Sequence, residues 1–327
     1  DLASGARLPR PEADARALSS SAEVAVSPDG SRIAVSSRHE LLAYDPGGKL
    51  RWSVPTDGEG ALAFSSDGKR LVFGRHALRF FDAETGDEAG SPVALPAPRA
   101  NRLLFSRDGR IVVAGLRTPS DGPFAEDNGR IAVVDAAERR VLTSWVHDAT
   151  EVTERLAAGT GAEATWIREE VVLGLALSAD GLRLATIGER TTKIWEAQNG
   201  RWPLRFSTAC GGLAIAFSGD GSVISAGSDA IRVWSPRLER PRPTRLRRHL
   251  ERTDSSAPSV AAISADGRTV AVTSARGVRV RTLAAGAERV FRGHRGSVHA
   301  LALSGGGELL VSSGEDASVV LWPLTTS

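Results

Sequence analysis

Residues 61–73 read Ala-Leu-Ala-Phe-Ser-Ser-Asp-Gly-Lys-Arg-Leu-Val-Phe, two apolar runs on either side of the turn Ser65-Ser66-Asp67-Gly68. Asp-Gly between alternating apolar runs predicts a β-hairpin, because the residues of the turn must accept positive φ. The phrase Ser-x-Asp-Gly occurs six times along the chain, and a degraded seventh copy carries Gly in place of Asp. The copies begin at Ser27, Ser65, Ser106, Ser178, Ser218, Ser264 and Ser304. The sequence is therefore organised as seven similar units.

The spacing of these turns predicts the architecture. Their third residues stand at 29, 67, 108, 180, 220, 266 and 306, so the steps are 38, 41, 72, 40, 46 and 40 residues. Repeats of about 40 residues made of short strands are typical of four-stranded propeller blades. The 327 residues exceed one ordinary core of about 100–200 residues, and a ring of repeats accounts for that length. We predict an all-β, seven-bladed β-propeller of four-stranded antiparallel blades over residues 22–327.

The last blade needs a strand from elsewhere in the chain. A third strand follows each hairpin, and most units then show a fourth, outer strand. The predicted outer strands are Lys49–Val54, Arg140–Val146, Arg201–Phe206, Thr244–Leu250 and Glu288–Gly293. In unit seven only five residues follow Trp322, and an open ring would expose a strand edge. We expect part of the N-terminal segment 1–21, around Ala6–Arg10, to supply the missing outer strand.

Composition narrows the class of protein. Forty-one basic and thirty-nine acidic residues give a net charge of +2, and only three of the basic residues are lysines, a bias that favours a bacterial source. The one cysteine, Cys210, excludes an intramolecular disulfide framework and a cysteine-cluster metal site, and favours a reducing cytoplasm. No apolar run approaches the roughly 20 residues that span a bilayer. The absence of methionine leads us to expect a piece of a longer protein.

Unit seven carries Gly293-His294, Ser312, Asp316 and Trp322, while units four and five keep Trp195 and Trp234. These positions resemble those of the WD-repeat family, and the motif is complete only in unit seven. The resemblance implies that His294, Ser312, Asp316 and Trp322 form a structural hydrogen-bond tetrad. It also implies a non-catalytic platform for protein partners. Unit five keeps Ser225 and Asp229 as well, whereas unit six has Arg281 where tryptophan is usual.

Ser312, His294 and Asp316 also have the composition of a hydrolase triad. The structural interpretation is preferred, because a buried polar group without a partner costs about 1–3 kcal/mol. The six histidines lack the spacing of metal ligands, and no Gly-rich loop leads into Lys-Ser/Thr for phosphate binding. We therefore predict no catalytic residue, no metal and no cofactor. A lactonase-type or peptidase-associated propeller remains the enzyme alternative.

The 72-residue step contains two insertions, at 116–129 within unit three and at 147–168 between units three and four. In a propeller, both kinds of connection leave on one face, the top, opposite the Asp-Gly turns. Loops of this length are commonly functional. A short helix is expected over Asp148–Gly159, with Asp148 as its cap. Between His147 and Glu170, six acids and two arginines give a charge of −4.

Several top-face positions are candidate partner contacts, since the resemblance implies that such positions often touch partners at the channel mouth. Arg38 and Arg75 lie in tight turns, Arg99 and Asn101 begin unit three, and Trp166 is an anchor candidate in the second insertion. His299 and Glu315 are the candidates of unit seven. One rim would then be basic and the other acidic.

The stretch Arg237–Arg252 has seven arginines and two glutamates, a local charge of +5. It could bind nucleic acid or an acidic partner. It has no interleaved aromatic residue for base stacking, and charge on an outer edge strand also prevents sheet-to-sheet pairing. We favour the edge strand over nucleic-acid binding.

These patterns lead to one functional hypothesis. We expect a cytoplasmic, non-catalytic protein–protein interaction scaffold or sensor module, part of a larger bacterial multidomain protein. Its partner would be a protein, a peptide or a fused effector domain, bound on the top face near blades three and four. The alternatives are the propeller hydrolase and an arginine-driven binder of nucleic acid or acidic surfaces.

Overall fold

The computed structural model describes residues 6–7, 23–117, 129–147, 149–155, 163–227, 230–235, 242–245, 260–274, 277–283 and 286–324. All regular structure in these ranges is β: thirty strands and no helix. Accordingly, the described residues include no helix that could cross a membrane.

Seven four-stranded antiparallel sheets form the blades, and six of them are meanders of four consecutive strands. Blade one contains β2 (Glu23–Val26), β3 (Ile33–Ser36), β4 (Glu40–Tyr44) and β5 (Leu50–Pro55). Blade two contains β6 (Ala61–Phe64), β7 (Arg70–Gly74), β8 (Ala77–Asp82) and β9 (Val93–Ala94). Blade three contains β10 (Arg99–Phe105), β11 (Ile111–Arg117), β12 (Arg130–Asp135) and β13 (Arg140–Val146).

The hairpin β14 (Ala149–Arg155) and β15 (Glu163–Glu169) separates blade three from blade four. Blade four contains β16 (Gly174–Leu177), β17 (Arg183–Ile187), β18 (Thr192–Glu196) and β19 (Leu204–Thr208). Blade five contains β20 (Ala214–Phe217), β21 (Val223–Ala226), β22 (Ala230–Trp234) and β23 (Arg242–Arg245). Blade six contains β24 (Ala261–Ile263), β25 (Thr269–Ser274), β26 (Gly277–Thr282) and β27 (Glu288–Phe291). Blade seven contains β28 (Val298–Leu303), β29 (Leu309–Gly314) and β30 (Val319–Pro323).

The ring closes at blade seven through the N-terminal strand β1 (Ala6–Arg7). Ala6 pairs with Leu321 and Arg7 with Val320, so β1 becomes the outer strand of that blade. The innermost strands contact one another in succession, and β28 of blade seven contacts β2 of blade one. The predicted all-β seven-bladed propeller is confirmed.

Each Asp-Gly turn is stabilised by contacts within a few residues. Ser27 Oγ donates to Asp29 Oδ1 at 2.6 Å and accepts the Arg32 N–H at 2.9 Å. Asp29 Oδ1 also accepts the Ser31 N–H, and Gly30 has φ of 72°. The hydrogen bond from Ser27 lowers the pKa of Asp29 below its ordinary value. The five other Ser-x-Asp-Gly turns repeat the Ser–Asp bond at 2.5–2.6 Å.

The largest differences between predicted and observed elements concern one helix and two outer strands, of which the strand predicted at Arg201–Phe206 is observed at Leu204–Thr208. The helix over Asp148–Gly159 is wrong, because Ala149–Arg155 form β14 and pair with β15 through seven consecutive residue pairs. β14 contains the β-branched residues Thr150, Val152 and Thr153, which favour extended backbone. The outer strand predicted at Thr244–Leu250 begins earlier, at Arg242, and its residues after Arg245 lie outside the described part of the chain.

Strand β1 closes blade seven through two residue pairs with β30, and we expect a deletion series to show that these pairs stabilise the ring. Removing residues 1–8 should lower the melting temperature, because β30 loses the backbone hydrogen bonds of its outer edge, each worth about 1 kcal/mol. Removing residues 1–4 keeps β1 and should leave the melting temperature unchanged. Thermal melts followed by circular dichroism compare the two. Equal melting of both deletions would contradict the closing role of β1.

Candidate interaction surface

Four side chains of blade seven form a buried hydrogen-bond chain. Trp322 Nε1–H donates to Ser312 Oγ at 2.8 Å, and His294 Nε2 lies 2.8 Å from the same Oγ. His294 Nδ1 lies 2.9 Å from Asp316 Oδ1. A carboxylate only accepts, so Nδ1 carries the proton and the Ser312 hydroxyl donates to Nε2. Every polar group of the chain then has a partner, and Ser312 is fully buried.

Two glycines make room for this chain. A Cβ on Gly293 would lie 2.6 Å from the indole of Trp322, and a Cβ on Gly314 would lie 2.6 Å from His294 Nδ1. Both distances are shorter than a normal carbon contact. The Gly-His pair therefore follows from packing: the glycine allows the indole to lie against the backbone beside the histidine.

Asp316 fixes the outer end of the chain. Burial disfavours its charge, but Ser318 Oγ at 2.6 Å, His294 and the Arg295 N–H at 3.1 Å all donate to the carboxylate. The net result is a pKa well below the ordinary value for aspartate. Asp316 therefore remains ionised throughout the neutral range and holds the loop before β28 against the turn after β29.

Blade four contains a second chain of the same kind. Trp195 Nε1–H donates to Thr186 Oγ1 at 2.9 Å, and Thr186 Oγ1 lies 2.8 Å from His147 Nδ1. On the other side of the imidazole, His147 Nε2 lies 3.1 Å from Thr191 Oγ1, which donates to Glu170 Oε2 at 2.6 Å. The side chains of His147 and Glu170 are 0% and 2% exposed. Tryptophan, a hydroxyl, histidine and a carboxylate thus follow in the order found in blade seven, except that the Thr191 hydroxyl stands between the histidine and the carboxylate.

Sequence reasoning missed this second chain because the insertion separates its members. His294 precedes Ser312 by 18 residues, whereas His147 precedes Thr186 by 39. The 21 extra residues equal the length of segment 148–168, which contains the β14–β15 hairpin. Removing that segment from the repeat would have aligned His147 with His294. Instead, His147 was assigned to the insertion itself.

The two insertions meet at their bases. Gly129, the last residue of the first insertion, accepts the His147 N–H on its carbonyl at 2.8 Å. A Cβ on Gly129 would lie 1.9 Å from the carbonyl oxygen of Glu170, so the backbones touch there. Lys193 Nζ donates to the His147 carbonyl at 2.8 Å. His147 and Glu170 directly flank the hairpin segment, so the buried chain of blade four holds both of its ends.

A charged cluster lies beside these bases at the channel mouth. Arg102 Nε–H donates to the Leu173 carbonyl at 2.7 Å, and its Nη1 lies 3.7 Å from Glu23 Oε1. One guanidinium therefore connects blades three, four and one. Burial raises the pKa of the Glu23 carboxyl, which Arg102 only partly offsets, and the neighbouring Glu59 raises it further. Arg102 was not among the predicted residues, since a bulge between Ala100 and Arg102 breaks the strand periodicity.

Arg99 and Arg117 form the adjacent edge of blade three. They are opposite each other in the β10–β11 pair, and no acid of the described residues forms an ion pair with either. Burial and the charge of Arg99 lower the pKa of Arg117. Asn101 Nδ2–H donates to the Val172 carbonyl at 2.7 Å and so ties β10 to blade four. We call Arg99, Asn101, Arg117 and the β14–β15 hairpin the blade-three/four rim.

Of the other predicted contact residues, Arg75 and Trp166 lie next to or within this rim, whereas Arg38, His299 and Glu315 lie on blades one and seven. Arg75 lies 3.4 Å from Asp57 and its carbonyl accepts the Ala100 N–H, so it adjoins Arg99. Arg38 is exposed in blade one. Blade seven carries the exposed His299 and Glu315, and Glu315 Oε2 accepts the Ser297 N–H at 3.2 Å. Trp166 pairs with Val152 inside the hairpin, but its side chain lies outside the described part. The partner-binding role of these residues remains a prediction.

Residues 287–323 match the family described as WD domain, G-beta repeat. This range ends at Trp322 and Pro323 and contains the complete hydrogen-bond chain of blade seven. The match and the seven-bladed ring together identify the fold family. This chain is a WD-repeat propeller. A search of curated proteins finds no match to it.

The blades of this WD-repeat propeller differ in how much of the tryptophan–hydroxyl–histidine–carboxylate hydrogen-bond chain they contain. In blade five, Ser225 and Trp234 are buried, yet Ser225 Oγ and Trp234 Nε1 have no partner among the described residues. No histidine precedes that blade; the residues there are Cys210-Gly211-Gly212. Among the described residues, only those of blades seven and four form such a chain with a histidine.

Substituting His147 tests the stabilising role of the second chain. His147→Ala should lower the free energy of unfolding by about 1–3 kcal/mol for each buried group left without a partner. His294→Ala should do the same in blade seven. The exposed His299→Ala is the control and should change stability by less than about 0.5 kcal/mol. Chemical denaturation measures all three. If His147→Ala unfolds like His299→Ala, the buried chain of blade four contributes nothing to stability.

The depressed pKa of Asp316 predicts a pH dependence. The carboxylate stabilises the fold at pH values above its unfolded pKa of about 3.9, and this contribution is lost as the pH falls toward the lower folded pKa. Asp316→Asn should therefore melt below wild type at pH 7, with a difference that shrinks below about pH 4. Thermal melts between about pH 2.5 and 7 measure it. The control is Glu138→Gln, a carboxylate 65% exposed, which should follow the wild-type profile. A constant Asp316→Asn difference would contradict the assignment.

Proposed function

We propose that this chain is a non-catalytic interaction module that binds a protein or peptide partner through the blade-three/four rim. WD-repeat propellers commonly serve as protein-interaction scaffolds. The observation that carries the proposal for this chain is the common base of its two insertions at Gly129, His147 and Glu170. Long loops fixed to a rigid scaffold are where binding residues concentrate.

The buried chain of blade four supports a fixed placement of the hairpin. Glu170 Oε1 accepts the N–H groups of Arg190 and Thr191, and its Oε2 accepts the Thr191 hydroxyl. A carboxylate with this many donors cannot turn without leaving buried groups unpaired. The ends of the hairpin are therefore held in one position, which lowers the entropic cost of binding a partner.

The charges of the rim favour a partner that carries both basic and acidic groups. Between His147 and the buried Glu170, five acids and two arginines give a charge of −3 by residue type. Beside it, Arg99 and Arg117 stand opposite each other with no ion pair among the described residues. Complementary charge across an interface steers association and selects partners. We infer a partner that offers basic residues to the hairpin and a carboxylate to the arginine pair.

The alternatives receive less support. Ser312 is fully buried and its hydroxyl is bonded to both Trp322 and His294, so it is not placed to attack a substrate. The basic stretch 237–252 is described only at β23, an outer strand paired with β22. We also propose a cytoplasmic, bacterial module of a larger protein, supported by the single cysteine and the 38 arginines against three lysines.

Replacing the hairpin tests the proposal. Ala149 and Glu169 are paired neighbours, so a short Gly-Ser linker can replace 149–169 while His147 and Glu170 stay in place. We expect this variant to melt like wild type and to lose the partner that wild type captures from extract of the source organism. A photo-crosslinking amino acid at position 117 should label that partner, and one at position 142 should not, since Leu142 is exposed on the outer strand of blade three.

The control variant is Lys69→Ala, an exposed change beside the Asp-Gly turn of blade two on the opposite face, which should keep the partner. Capture by the linker variant at the wild-type level would place the site elsewhere on the ring. Labelling from position 142 equal to that from position 117 would do the same.

A further inference from the structure

A second surface lies on the opposite face, at the outer corner of blade four. The turn between β18 and β19 has positive φ at both central residues, 48° at Asn199 and 75° at Gly200. Gln198 and Arg201 exchange two backbone hydrogen bonds of 2.9 Å across it. The Ala197 N–H donates to the carbonyl of Leu182, next to the Asp-Gly turn, at 2.7 Å. This turn therefore lies on the face of the Asp-Gly turns, away from the blade-three/four rim.

Behind this turn is a groove of about 670 Å³, lined by Gln198, Asn199, Arg201, Trp202 and Pro203. We call it the blade-four groove. Leu182 and Leu204 flank the same turn and are 54% and 48% exposed, the highest values among the large apolar side chains described. The other exposed large apolar side chains lie on separate blades. Exposed apolar residues gathered beside a groove indicate a binding surface.

The aromatic wall of the groove is fixed before any ligand arrives. The Trp202 ring stacks on Trp145 with centroids 6.2 Å apart and 17° between planes. Trp145 in turn meets the edge of the buried Trp195 at 5.5 Å. Trp202 is half-buried, so one part of the indole packs inward and the remainder faces the groove. A fixed aromatic surface costs little conformational entropy on binding.

The polar groups of the groove are mainly donors without acceptors. In the described chain, neither the Trp202 indole N–H nor the Arg201 guanidinium has a protein acceptor. Gln198 and Asn199 add two exposed carboxamides. Arg205, on the adjacent strand, lies 3.8 Å from Glu196, which leaves Arg201 as the unpaired charge. A matching ligand brings an apolar surface, free carbonyl oxygens and a carboxylate.

We propose that the blade-four groove binds an extended, proline-containing acidic segment of a partner protein. A polyproline II segment has no internal hydrogen bonds, so its carbonyl oxygens are free to accept from indole and carboxamide donors. Its proline rings pack on aromatic side chains such as Trp202. A neighbouring glutamate pairs with Arg201. This surface is separate from the rim and its occupation does not depend on the function proposed there.

Fluorescence anisotropy with three labelled octapeptides tests the groove. The probes are Pro-Pro-Glu-Pro-Pro-Glu-Pro-Pro, the analogue with serine for every proline, and the analogue with lysine for every glutamate. We expect the first to bind about tenfold more tightly than either analogue, a difference of about 1.4 kcal/mol. Trp202→Ala should weaken that binding at least about tenfold. Arg201→Ala should abolish the preference for glutamate over lysine.

Two controls and one fallback variant keep the result interpretable. Arg205→Ala removes the same charge from a neighbouring position that already has a partner, and it should bind the peptide like wild type. The hairpin-linker variant should also bind normally, which separates the groove from the rim. If Trp202→Ala fails to fold, Arg201→Ala decides, because the Arg201 side chain is exposed.

Several outcomes would overturn the proposal. They are no binding of the proline-glutamate peptide, equal binding of its serine analogue, and equal binding by Arg201→Ala and Arg205→Ala. A single-stranded oligonucleotide that binds more tightly than the peptide, and is lost in Trp202→Ala, would assign the groove to base stacking instead.

Discussion

Each blade depends on both of its neighbours for a hydrophobic core. Side chains alternate along a strand, so Val319 and Leu321 of β30 pack against blade one, while Val320 and Trp322 pack against blade six. Comparable clusters fill the other five interfaces. No blade can bury both faces alone, and closure of the ring is therefore the constraint that the other elements satisfy. The two residue pairs of β1 complete it.

Where the stabilising contacts are local, the fold could be predicted. A Ser-x-Asp-Gly turn contains its hydrogen bonds within six residues, as in Ser27–Arg32, so its chemistry is visible in one stretch of sequence. The outer strand β9 has two residues and depends on β8, and no periodicity marks it. The helix prediction for Asp148–Gly159 was wrong for the same reason, since the conformation of this segment depends on pairing with another strand. Its residues suit a helix cap locally, and the strand β15 that decides their conformation lies downstream.

The candidate surfaces were harder to predict, because they depend on residues that the fold brings together. Arg99 was predicted as a partner contact. That it lies opposite Arg117 could not be predicted, because this depends on the register between β10 and β11. His147 was assigned to a loop, although it is the histidine of the blade-four chain. Trp202 was included in an outer strand without further role. What makes it a groove wall is the stacking of Trp145 from blade three.

The rim and the groove are joined by continuous contacts through the interface of blades three and four. Trp202 stacks on Trp145, Trp145 meets Trp195, and Trp195 begins the hydrogen-bond chain that ends at Glu170. Contiguity alone does not couple two sites, because coupling requires an element with two arrangements that both ligands bias. Along this chain each bond direction is set by the next acceptor, ending at the Glu170 carboxylate. A reversed arrangement would turn the Thr191 hydroxyl toward His147 Nε2 and leave Glu170 Oε2 without that donor, at a cost of about 1–3 kcal/mol. The interface therefore acts as a rigid support, and we expect the proposed binding at the rim and the proposed binding at the groove to be independent.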